Sequence, residues 1–85
     1  MTVYNVYMEL ETPSADFLAE HLESRYIIFC IEVPKPNTLN FDFRSEITDP
    51  KEVEKDLEAF VSEYNLKVLE MNAKAIIGRR SYFDT

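Results

Sequence analysis

Residues 48–66, TDPKEVEKDLEAFVSEYNL, decide how the chain folds. Val53, Leu57, Phe60, Val61 and Tyr64 recur at steps of four, three, one and three. That is the apolar stripe of a helix with a 3.6-residue period. Asp49 is placed to cap its N-terminus, and Pro50 falls at the first helical position, where a missing N–H is no loss. Glu52, three residues after Asp49, completes a capping-box-like spacing. Asn65 suits a left-handed residue past the C-terminus, with Leu66 folding back onto the last turn. Lys51–Lys55 and Glu52–Asp56 are like-charged pairs four apart, mildly unfavourable in isolation. The helix therefore needs a surface to cover, and the rest of the chain must supply it.

The remaining segments read as strands and one further helix. Tyr4, Val6, Met8 and Leu10 alternate with Asn5, Tyr7 and Glu9, so residues 3–11 predict a strand with its even positions inward. Thr12, Pro13 and Ser14 punctuate, and residues 14–24 predict a short helix on Ala15, Leu18 and Leu22, with Phe17 on its flank. Residues 25–33, RYIIFCIEV, form a β-rich run apolar on both parities. Pro34 to Asn37 have turn composition. Residues 39–47 alternate again, with Leu39, Phe41, Phe43 and Ile47 inward and Asn40, Asp42, Arg44 and Glu46 outward. Residues 67–77 predict a strand in which Leu69, Met71, Ala73, Ala75 and Ile77 share one parity, while Leu66 and Val68 fall out of phase. Either a bulge or two short strands with a turn near Asn72 would account for that. The basic–aromatic segment 78–85, GRRSYFDT, reads as a partly ordered tail.

The order is β-α-β-β-α-β in one domain spanning residues 1–85. Its economical arrangement is a ferredoxin-like α+β fold, an antiparallel sheet with two helices packed on one face. At 85 residues the chain buries roughly 60–65% of its unfolded surface, so its core is modest and dimerisation would help stabilise it.

Composition narrows function by exclusion. One cysteine permits no internal disulfide, no apolar run reaches the roughly 18 residues that span a membrane, and the N-terminus lacks the pattern of a signal peptide. A cytoplasmic protein with no membrane partner is expected. One glycine, Gly78, rules out glycine-rich phosphate loops, and no cofactor is expected. One histidine and one cysteine leave no structural zinc set within a monomer. His21 reads as an exposed helix residue stacked on Phe17 rather than a general base. Cys30 reads as inert strand packing. Ile28 and Cys30 on one parity, beside Tyr26, predict an apolar patch on the open sheet face, covered by a second copy or by Tyr82 and Phe83. The polar residues expected on that face do not match the stacked aromatics of RNA-recognition motifs.

Charge is the distinctive feature. The net charge is −7. Residues 1–24 hold five acids and no lysine or arginine, and residues 49–65 hold six acids against two lysines. Direct binding to nucleic-acid phosphates is disfavoured. The expected function is a small acidic interaction module, a regulator or inhibitor that engages a basic host or regulatory protein. Its contacts would be Asp16, Glu20 and Glu23 on the first helix and Glu52, Asp56 and Glu63 on the second. In its extreme form, encoded by a virus or plasmid, such a protein would mimic nucleic acid. Two alternatives come from other classes. One is a regulatory domain that senses a small molecule at a homodimer interface, through the open sheet face or the junction of first strand and first helix. The other is a divalent-metal nuclease using Glu9 or Glu11 across a dimer.

Overall fold

Alternation along the first strand sets the layers. In β1 (Thr2–Leu10) the side chains of Tyr4, Val6, Met8 and Leu10 are fully buried, and those of Asn5, Tyr7 and Glu9 are only partly covered. The remaining elements are α1 (Ala15–Arg25), β2 (Ile27–Lys35), β3 (Thr38–Ser45), α2 (Pro50–Ser62) and β4 (Val68–Ala75). The structure is a computed structural model that describes residues 1–76; the expected tail at 78–85 lies outside the described residues. The four strands form one antiparallel sheet in the order β2-β3-β1-β4. With two helices in the order β-α-β-β-α-β, this is the ferredoxin-like α+β arrangement.

Both helices bury their stripes against the same sheet face. Leu18 and Leu22 of α1 and Val53, Leu57, Phe60 and Val61 of α2 join Tyr4, Val6, Met8, Leu39, Phe41 and Phe43 in one core cluster. The caps of α2 follow the sequence signals. Asp49 accepts a hydrogen bond from the Lys51 amide at 3.0 Å, with Pro50 in the first turn. Glu52 turns to Lys55, 3.7 Å away, rather than back to the cap. Asn65 has φ 59°, and Leu66 packs on the core. Tyr4, although buried, keeps a partner, because its hydroxyl donates to the Ile47 carbonyl at 2.7 Å.

Both edge strands depart from simple alternation. In β2 the register steps from Ile28↔Phe43 to Cys30↔Asp42, leaving Phe29 as the extra residue of a bulge. One inserted residue exchanges the faces. Ile28 therefore packs on the core together with Ile31 and Val33, and Cys30 is exposed. The expected pairing of Ile28 with Cys30 on the open face is corrected. Tyr26 also turns inward, its ring 5.4 Å from Phe43 and 5.5 Å from Phe60. In β4 the step from Glu9↔Glu70 to Leu10↔Val68 makes Leu69 the extra residue. Val68 packs on the core and Leu69 is 54% exposed, so β4 is one bulged strand rather than two, and Leu69 leaves the inward set. β2 also runs through Pro34 to Lys35, which an edge strand tolerates because proline's missing N–H faces no neighbour.

Glu54 guards the other edge. It reaches from α2 so that its carboxylate accepts the Ala73 amide of β4 at 2.9 Å. A free edge amide would otherwise be open to pairing with another chain. Replacing Glu54 with alanine should speed hydrogen exchange at the Ala73 amide and cost about 1 kcal/mol in urea unfolding, whereas Glu54→Gln, which retains an acceptor, should largely preserve both. Unchanged exchange in Glu54→Ala would show that the amide is protected by something else.

Candidate functional site

Because α1 and α2 share one face of the sheet, their outward sides form a common solvent-facing layer. Counting the caps Asp49 and Glu63, the two helices carry nine acids against three bases. The six expected contact residues Asp16, Glu20, Glu23, Glu52, Asp56 and Glu63 are all exposed. They are not equivalent. Asp16, Glu20 and Glu23 of α1 have no hydrogen bond or ion pair among the described residues. On α2, by contrast, Asp56 accepts the Tyr26 hydroxyl at 3.0 Å, Glu52 lies 3.7 Å from Lys55, and Glu63 lies 3.7 Å from Arg25. The second triad therefore takes part in holding the fold, and the first is unpartnered among the described residues.

Those contacts belong to a run of rings that sequence reasoning caught only at Phe17 and His21. Phe17 and His21 pack with centroids 4.4 Å apart and rings tilted by 43°, the His21 Nδ1–H donating to the Phe17 carbonyl at 2.9 Å. Tyr64 joins both, 5.6 Å from Phe17 and 4.7 Å from His21. The run continues inward through Phe60, 5.3 Å from Tyr64, to Tyr26 and then Phe43 in the core. The Arg25 guanidinium lies over this run, 5.1 Å from the Phe60 centroid and 5.9 Å from that of Tyr26. Helical spacing could have joined Phe17 to His21 and Phe60 to Tyr64, but nothing local joins one helix to the other.

Elsewhere the polar groups mostly satisfy each other. On the open sheet face Asn5 donates from Nδ2 to Asn40 at 2.9 Å and to Asp42 at 2.8 Å, and the Cys30 thiol lies 3.6 Å from Asp42. Arg44 Nε is buried with no hydrogen-bond partner among the described residues. Glu9 stands opposite Glu70 across β1 and β4, while Glu11 is exposed beyond the strand end. Among the described residues no three of the histidine, cysteine and carboxylate side chains gather as a metal site would require. A depression of about 260 Å³ at the C-terminal end of α2, lined by Glu58, Ser62, Leu66, Lys67 and Val68, is open and somewhat smaller than the roughly 300 Å³ at which small-molecule pockets begin. No described helix is long and apolar enough to cross a membrane. Compared with models of protein families, with curated proteins and with solved structures, the chain matches none.

The ionisation of Tyr26 reports on the helix contacts. Burial first, and the hydrogen bond and negative charge of Asp56 next, push its phenol well above the ordinary value near 10. Tyr4 shifts the same way, through burial and then Asp49. Above pH 10 the unfolded chain gives up these protons and the folded chain keeps them, so stability is full below that pH and declines as pH rises. Tyr26→Phe should flatten this alkaline decline without abolishing it, because Tyr4 remains. Urea midpoints measured from neutral to alkaline pH would check this, and an identical slope in the variant would contradict it.

Proposed function

We propose that the chain is a small interaction module that engages a basic protein through its acidic helix layer, acting as a regulator or inhibitor of that partner. The observation that carries this reading is the placement of Asp16, Glu20 and Glu23: three exposed carboxylates on one helix with no partner of their own among the described residues. Glu52, Asp56 and Glu63 extend the same negative field from α2. Single exposed ion pairs contribute only about 0–1 kcal/mol each, so affinity would come from many contacts acting together. Complementary fields chiefly raise the association rate and make binding sensitive to salt. The large acidic excess also opposes direct contact with nucleic-acid phosphates.

The division of the acids determines the test. Reversing Asp56 or Glu63 would disturb the contacts to Tyr26 and Arg25, so lost binding would be ambiguous. Asp16→Lys, Glu20→Lys and Glu23→Lys together leave those contacts in place. Capture from the producing cells at low salt should retain a basic protein on the wild-type chain. It should fall away above about 0.15 M salt, where the Debye length shortens to about 8 Å. The triple variant should retain none of that protein while unfolding at nearly the same temperature. Capture undiminished by the triple reversal, or no basic protein held at low salt, refutes the reading.

A further inference from the structure

The helix layer is not uniformly charged. At its seam lies the outer end of the ring run, where Phe17 is 47% exposed against Tyr64 and His21. A single exposed apolar side chain is ordinary and signifies nothing alone. What matters is its setting. Asp16 adjoins Phe17 in sequence and Glu20 follows it by three residues, so on a helix Glu20 lies beside the ring.

The same run already holds one arginine further in, over Phe60 and Tyr26. Arg25 lies over Phe60 and Tyr26 with Nη1 3.7 Å from the Glu63 carboxylate, a guanidinium held by two rings and an acid. The outer end repeats those components, rings beside unpaired carboxylates, with no described cation upon it. Guanidinium is planar, weakly hydrated and stacks on aromatic faces, whereas ammonium is compact and strongly hydrated. We propose that this seam of Phe17, His21 and Tyr64 receives an arginine side chain of the basic partner, stacked on the rings and paired with Glu20 or Asp16. The inference rests on the acidic-layer reading and adds a contact centre to it, with a preference for arginine over lysine.

Oligo-arginine and oligo-lysine peptides of equal length separate the two ideas. Titrated at low salt by calorimetry, both should bind, with oligo-arginine tighter by about two- to five-fold. Phe17→Leu keeps an apolar side chain at an exposed position but removes the ring. It should bring oligo-arginine down to the oligo-lysine level and leave oligo-lysine binding unchanged. Tyr64→Leu should act in the same direction. Equal affinities in the wild-type chain, or an arginine preference that survives both variants, overturns the seam while leaving the acidic-layer reading intact. Binding of neither peptide overturns both. Sedimentation showing a dimer that Phe17→Ser dissociates would also overturn the proposal, because a second copy would then occupy the seam.

Discussion

Phe60 is the side chain on which the helix layer depends. It is 1% exposed, lies on the α2 stripe, and touches Tyr64 on the outer side and Tyr26 on the inner side. Burying a ring of this size contributes about 1.5–3 kcal/mol by itself, and well-placed aromatic neighbours add further. In a domain with a modest core, that is a large share of a net stability expected to be about 5–15 kcal/mol. The ring also fixes what surrounds it. Arg25 stacks on it from the end of α1, and Tyr26 packs against it at the junction with β2. Through those neighbours, Asp56 and Glu63 are drawn into contacts that join the two helices.

The same packing explains why the acidic surface divides. Both helices put apolar residues inward, and acids populate what remains. On α2 the carboxylates of Glu63, Asp56 and Glu52 lie within reach of Arg25, Tyr26 and Lys55, so their charge is partly compensated where it stands. On α1 the only base of the helix, Arg25, sits in the last turn and leans toward Phe60 and Glu63. Among the described residues, Asp16, Glu20 and Glu23 are left without a compensating partner along the remainder of that helix. Mutual repulsion among them is weak in water but persistent, and an approaching cationic surface would relieve it.

Much of this architecture was legible from local pattern. The apolar period of α2, its Asp49–Pro50 start, the left-handed Asn65 and the alternation of β1 and β3 are each set by neighbours in sequence, and the structure follows them. The bulges were harder. Whether Phe29 or Leu69 is the extra residue depends on the partner strand, because each shift is a mismatch between two registers. In β4 the out-of-phase Val68 announced an irregularity that could be a bulge or a turn. In β2 the run was apolar on both parities, so the pattern gave no sign that the faces exchange at Phe29. The exposure of the acidic residues was legible from helical periodicity, but their inequality was not. It arises from contacts between residues 25–26 and 56–63, which no window of sequence brings together.

Edge protection bears on which surfaces of the domain are open to other chains. A four-stranded sheet has two edges, each a template for pairing. β2 carries a bulge and Pro34, both of which interrupt a regular row of donors and acceptors. β4 carries its own bulge and has the Ala73 amide taken up by Glu54. Each edge is thus made less receptive by a different device. Association through backbone pairing is disfavoured, while association through side chains is not. The helix layer then offers the contrasting surface: charged, with exposed carboxylates on α1, and broken by a half-exposed ring. Glu54 links the two properties, since a carboxylate facing outward would have added to the acidic layer, whereas here it is turned to the sheet edge.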